Sequence, residues 1–291
     1  MPPMSSLPDP ATAPPAAAQP ITHYENFPVA SVLCPPHLRP PIAAIYHFAR
    51  TADDIADEGH ATPDERLAEL ALFRTGLSES PQASARWPQV FGPLLVQRQA
   101  HALPDLLLHA LLDAFVQDIE KTRAGTGYRN HTELLDYCSR SANPVGRLLL
   151  HLYGVQDAHS LAMSDDICSA LQLINFWQDL STDIPRGRFY LPHDECVRFG
   201  VKQADILAQQ DTENTRKLIA SCASTARAHM QNGMELVHRL PGRAGWELRL
   251  VVQGGLRILD KIAALDHATL QRRPKLYAWD YGVMLWRAVW M

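Results

Sequence analysis

None of the five cysteines (Cys34, Cys138, Cys168, Cys196, Cys222) stands in C-x-x-C spacing, so the chain signals neither a zinc site nor a disulfide framework. A reduced, cytoplasmic setting is the expectation. An excess of basic charge is missing too. The 27 Lys and Arg residues against 31 Asp and Glu leave a formal net charge of −4, and no nucleic-acid partner is expected. No stretch reaches the roughly 18 consecutive apolar residues that a membrane span needs. There is no strand-like alternation and no internal repeat. The G-x-G-x-x-G fingerprint of dinucleotide binding is absent, which leans against a reductive step, and no NADPH is expected. Residues 1–20 hold seven prolines and no Lys or Arg. They lack the basic and apolar regions of a signal peptide and read as a disordered Pro/Ala-rich leader.

What is present is apolar and helical. Of 291 residues 46% are hydrophobic, enough for one large core. From residue 21 onward the periodicity is that of helices, expected at 36–58, 63–78, 87–101, 104–122, 131–153, 164–184, 211–240, 243–264 and 277–290. Ser164 reads as a helix start, Gly59, Gly154 and Pro185 as stops, and Asn143-Pro144 as a kink. Residues 21–291 are expected to form a single all-α domain.

Two of these helices carry polar stripes. In YHFARTADDIAD (46–57), Tyr46, Arg50, Asp53 and Asp57 fall at i, i+4, i+7 and i+11, which places them on one line of a helix. The remaining faces are mostly apolar, so the helix should be buried. Buried carboxylates without cations are costly. Taken alone, the D-D-x-x-D run fits a solvated acidic helix end paired to Arg50 equally well. A second stretch, LQLINFWQDLSTDIPRGRFYLP (171–192), repeats the arrangement with Gln172, Asn175, Asp179 and Asp183. Two acidic stripes facing one cavity are tenable only with divalent cations between them. Carboxylate and amide oxygens suit Mg²⁺, with Mn²⁺ as the alternative ion, better than zinc. Asp53, Asp57, Asn175, Asp179 and Asp183 are therefore the expected metal ligands. Arg186 and Arg188 follow immediately and are placed to grip a diphosphate, although such a pair is more often a solvated loop. An apolar pocket below would shelter a carbocation formed from an isoprenoid diphosphate, with tyrosine π-faces stabilising it.

The pattern Y-x3-R-x2-D-D-x2-D, then Q-x2-N-x3-D-x3-D, then R-G-R-x-Y-L-P, resembles the squalene and phytoene synthase family over roughly residues 21–290. The resemblance implies the all-α isoprenoid-synthase (terpenoid synthase) bundle around a central cavity, with Mg²⁺ as cofactor. It also implies Arg50 and Gln172 beside the substrate diphosphate, Tyr137 at the family's Y-C position, and Tyr46 and Tyr190 as further catalytic tyrosines. The segments ENFPVAS, ARTADDIADEG, CSRSANPVGRLLLHLYG, ALQLINFWQDL and RRPKL resemble the branch found in bacterial hopanoid clusters. That branch rearranges presqualene diphosphate and captures the cation with water to give hydroxysqualene. A presqualene diphosphate synthase would then supply the substrate, and a hydroxysqualene reductase would use the product.

Two departures from the commoner pattern bear on chemistry. Gln178 stands where many members carry arginine in N-I-L-R-D, removing one positive charge from the diphosphate site. Asn143 stands before Pro144 where others have V-A-G. It is a candidate for positioning water, while satisfying backbone freed by Pro144 is its plainer role. Trp279, Val283, Trp286 and Trp290 form a late helical stripe. Core packing is expected of it, and an aromatic face on a membrane is the alternative. A condensing head-to-head synthase, a class I terpene cyclase and a non-catalytic helical assembly protein are the rival readings of the whole chain. A hydroxyl residue and a glutamate usual in the cyclases' second motif are replaced here by Asp179 and Asp183, which disfavours the cyclase.

Overall fold

A computed structural model describes residues 34–291. The expected leader, together with residues 21–33 of the expected domain, lies outside the described residues. These fold into thirteen α-helices with no strand among them. In chain order they are α1 (Arg39–Asp57), α2 (Pro63–Thr75), α3 (Pro81–Arg86), α4 (Pro88–His101), α5 (Asp105–Ala124), α6 (His131–Ser141), α7 (Asn143–Leu152), α8 (Ala158–Asp183), α9 (His193–Arg198), α10 (Gln203–Leu207), α11 (Glu213–Gly233), α12 (Arg243–Ala264) and α13 (Ala278–Val289).

The helix starts follow local chemistry. Prolines within the first two positions open α1, α2, α4 and α7, where a missing N–H costs nothing and φ is already helical. Thr62 and Glu65 form a capping box on α2, satisfying two otherwise unpaired N–H groups. The Asn143-Pro144 break is deeper than a kink: α6 ends at Ser141 and α7 begins at Asn143. Helix α8 starts earlier than Ser164. The Asp157 side chain accepts from the Ser160 N–H at 3.0 Å and caps it, while Ser164 is buried inside the helix. Three short helices, α3, α9 and α10, were not expected. Their five or six residues are too few to show a period.

Two apolar clusters hold the molecule together. One is built on α1, α2, α4 and α5, where the fully buried Phe48 packs on Phe73 with ring centroids 5.2 Å apart. Burying such a side chain contributes about 1.5–3 kcal/mol. The other surrounds α8, which packs along α11 and also meets α6, α7 and α12. Its Leu173, Ile174, Trp177 and Leu180 are all buried. Close approach to α8 depends on small residues. A Cβ on Gly146 of α7 would meet Cys168 Sγ and Ser164 Oγ at 2.5 Å, and one on Gly233 of α11 would come within 2.7 Å of the Ile167 side chain.

Candidate active site

The apolar sides of α1 and α8 enter the two clusters, so their polar stripes are left to face the same space. A cavity of about 840 Å³ lies there, within the size range of small-molecule sites. From α1 it receives Tyr46, Arg50, Asp53 and Asp57; from α8, Gln172, Asn175, Asp179 and Asp183. Tyr137 of α6 and the post-α8 residues Arg188 and Tyr190 complete the expected set. Arg186 and Asn143 do not line the cavity. Arg186 is exposed, although its charge acts favourably on Asp183. Asn143 is buried, and its Oδ1 accepts from Ser169 Oγ on α8 at 3.0 Å. This bond joins α7 to α8.

Each acidic stripe is paired with cations of the chain itself. Arg188 forms ion pairs with Asp57 and, at 3.6 Å, with Asp118. Arg50 reaches Asp53 at 3.1 Å and Asp54 at 2.8 Å. Arg273 takes Asp179 in a two-pronged contact, Nε to Oδ1 at 2.5 Å and Nη2 to Oδ2 at 3.1 Å. No group of three or more His, Cys, Asp or Glu among the described residues is gathered closely enough to hold a metal ion. Negative charge nonetheless remains in excess. Burial, then repulsion from Asp179 and Asp118, pushes the Asp183 carboxyl up to about 7. Burial, and more weakly Asp53, raises Asp118 to about 6 against the hydrogen bond it accepts from Tyr190. Oxygen-only donors with charge still to neutralise fit a hard divalent cation.

Asp118 was not anticipated. It projects from α5, where nothing in the spacing of VQDIE separates it from a surface acid, and it accepts the Tyr190 hydroxyl at 2.9 Å. Arg273, Lys275 and Leu276 also line the cavity unexpectedly. They lie in the RRPKL segment, and Gln178 explains their position. Its side chain is almost wholly buried and donates through Nε2 to the Pro274 carbonyl at 2.8 Å. Gln209 donates to the Leu270 carbonyl at 2.9 Å, and Asp211 accepts from the Leu270 N–H. The strand of chain over 270–276 is thereby strapped across the end of α8. Gln178 itself brings no charge to the site; Arg273, 94 residues from the Asp179 it pairs with, and Lys275 bring positive charge into the cavity from elsewhere in the chain.

Aromatic rings form the inner wall. Tyr190 stacks on Phe176 with centroids 3.8 Å apart and planes 10° from parallel, and Tyr137 lies 6.1 Å from Phe176. Burial drives the phenols of Tyr137 and Tyr190 well above their ordinary range, so both stay neutral and present π-faces and hydroxyl groups, not phenolate. A smaller cavity of about 330 Å³ lies behind this wall, against Tyr128, Tyr190, Leu180 and Ile184. It contains no carboxylate from either stripe.

The comparisons with known proteins agree with this geometry. Hydroxysqualene synthase of Zymomonas mobilis is 39% identical over 189 residues, covering 62% of this chain and 59% of that relative. Hydroxysqualene synthase of Sinorhizobium fredii is 33% identical over 242 residues, covering 83% and 79%. The crystal structure of squalene synthase HpnC from Alicyclobacillus acidocaldarius superposes with a TM-score of 0.75 at 33% identity, covering 84% of this chain and 90% of that one. The sequence profile of squalene/phytoene synthase matches residues 22–280, and the chain belongs to that family.

Proposed function

We propose that the protein converts presqualene diphosphate to hydroxysqualene. The observation that carries this reading is the pairing of two acidic stripes with an aromatic wall in one cavity. Similarity to hydroxysqualene synthases supports the choice among reactions of the family. Asp53, Asp57, Asn175, Asp179 and Asp183 would hold Mg²⁺, or Mn²⁺ in its place, which when bound supplies the charge that stabilises the departing diphosphate.

The remaining work falls to the chain. Arg188, Arg273 and Lys275 grip phosphate oxygens, with Arg50 and Gln172 at the α1 and α8 sides and Arg186 adding field from outside. The C–O bond breaks with its electron pair going to the diphosphate. The cyclopropylcarbinyl cation that remains rearranges against the π-faces of Tyr137, Phe176 and Tyr190, which attract it without offering a nucleophile. Tyr46 bounds the cavity on the α1 side. Water then forms the new C–O bond, and its surplus proton passes to the released diphosphate. No hydride is required, so NADPH is not needed. The reading places the protein in the cytoplasm, peripherally at the inner face of the membrane, after a presqualene diphosphate synthase and before a hydroxysqualene reductase.

The test is product analysis of the full chain with Mg²⁺, supplied with farnesyl diphosphate or presqualene diphosphate in separate reactions, each with and without NADPH. Hydroxysqualene from the second substrate only, in equal yield with and without NADPH, is expected. Consumption of farnesyl diphosphate would replace this reading with a condensing synthase.

A further inference from the structure

The Trp279, Val283, Trp286 and Trp290 stripe is not core. Trp279, Trp286 and Trp290 are 60%, 67% and 74% exposed. Helix α13 instead docks through Asp280, Met284 and Ala288, an i, i+4, i+8 line against α12. At 100° per residue, Tyr281, Leu285, Val289, Trp286, Trp279 and Trp290 then occupy an outward arc of about 180°. All six are exposed. No charged side chain falls within that arc, and Arg287 lies about 60° beyond its edge, on the side of Asp280. An exposed apolar surface of this extent marks an interaction site.

We propose that this face of α13 docks the protein onto an anionic phospholipid bilayer. Charge decides for lipid over a second copy of the chain. Beneath α13 two carboxylates are each shared by two cations: Asp260 by Arg227 and Arg287, and Asp280 by Arg257 and Lys261. One positive charge is left over at each cluster, on a chain whose net charge is −4. Apposing two identical faces would bring these surpluses together, whereas an anionic surface complements them. Arg257 and Lys261 lie 4.7 and 4.6 Å from the Trp279 ring centroid. Cations beside indole rings combine the two residue classes enriched at membrane–water boundaries. A shallow groove of about 590 Å³ between Arg227, Arg287, Trp286 and Trp290 is suited to a lipid phosphate.

Position adds a second argument. Leu276 lines the active-site cavity, and Trp279 of the exposed face follows three residues later in the chain. The docking face is thus tethered directly to the segment that closes the site. No helix among the described residues is long and apolar enough to cross a membrane, so the contact is interfacial. The inference deepens the proposed reaction and rests on it for what is exchanged with the bilayer: a substrate with two long apolar tails and a product without a charged headgroup.

The experiment is co-sedimentation of the full chain with vesicles of phosphatidylcholine alone and of phosphatidylcholine mixed with phosphatidylglycerol, read alongside tryptophan emission. Binding to the mixed vesicles with a blue shift is expected, with Trp286→Asp/Trp290→Asp binding about ten-fold more weakly or worse. That variant should keep its far-UV circular dichroism and its turnover of detergent-dispersed substrate. Failure of the parent chain to sediment with mixed vesicles overturns the proposal, as does equal binding by the variant. A concentration-dependent dimer abolished by the variant, without vesicle binding, would assign the face to a second copy. Vesicle binding only after removal of residues 1–33 would assign it to that segment. Sedimentation is blind to turnover, so failure of the membrane inference and failure of the proposed reaction are separate results.

Discussion

Gln178 and Arg273 lie far apart in the chain and act on one spot. Gln178 fastens Pro274, and the strap so formed delivers Arg273 to Asp179 and into the cavity. Arg273→Ala is expected to raise KM for the diphosphate about ten-fold, the equivalent of one lost charged hydrogen bond of ~1.5 kcal/mol. Gln178→Ala should act in the same direction through a loosened strap. The double variant should then cost less than the two effects added, by about 0.5 kcal/mol or more and at most the ~1.5 kcal/mol of the Arg273 contact; strict additivity in steady-state kinetics would sink the coupling. Tyr190→Phe removes the hydrogen bond that favours the charged form of Asp118. The Asp118 titration, followed by carboxyl carbon NMR, should move upward from about 6, and stability should fall by about 1 kcal/mol. A downward shift would contradict the assigned cause. Asp53, Asp57, Asp179 and Asp183 could be found from sequence because spacing alone places them on two lines. Asp118, Arg273 and Lys275 could not, since no spacing rule joins residues brought together only by tertiary packing.

At the scale of elements, Asn143-Pro144 announced the break between α6 and α7, because a helix running through Pro144 would lack the N–H it needs there and clash with the preceding turn, whereas a helix starting at Asn143 does not. Helix α8 begins just after Asp157, whose side chain caps it, so Ser164, also a capping residue type, falls inside the helix, buried against Gly146 of α7. That contact offers a test. Gly146→Val adds carbon atoms where a Cβ alone already meets sulfur and oxygen at 2.5 Å. Overpacking of this kind costs about 1–3 kcal/mol and should lower the urea midpoint, while Gly92→Ala, where the added Cβ meets open space, should not. Asn143→Ala belongs to the same interface. Ser169 Oγ would lose its partner there, at about 1–2 kcal/mol, with product ratios unchanged because Asn143 is held behind the cavity lining. The α13 stripe shows the limit of periodicity: it groups residues on one face correctly, but whether that face meets a core or a membrane depends on what the rest of the chain leaves uncovered.

Across the whole molecule, the two apolar clusters force two acidic helices to share one cavity, so folding itself does electrostatic work that is absent from the unfolded chain. Asp118 and Asp183, raised to about 6 and about 7 by burial and by neighbouring carboxylates, bind protons more tightly folded than unfolded. Below about pH 4 both states are protonated and the stabilisation is complete. Between about pH 4 and 7 the unfolded chain has already lost these protons while the folded chain still holds them, so stability declines across that range and levels off once Asp118 and Asp183 ionise in the folded state. The thermal midpoint in chelator should therefore fall across that window. A divalent ion held by the stripes acts in the opposite sense, since it favours the ionised carboxylates, so added Mg²⁺ should raise the midpoint more at pH 8 than at pH 5. Asp183→Asn should flatten the chelator profile and shrink the Mg²⁺ response together, because one carboxylate contributes to both. A profile that rises with pH in chelator, or a Mg²⁺ effect equal at both pH values, would mean that the repulsion between the stripes is already neutralised by Arg188 and Arg273, and that these arginines, not a metal ion, are the resident counter-charges of the site.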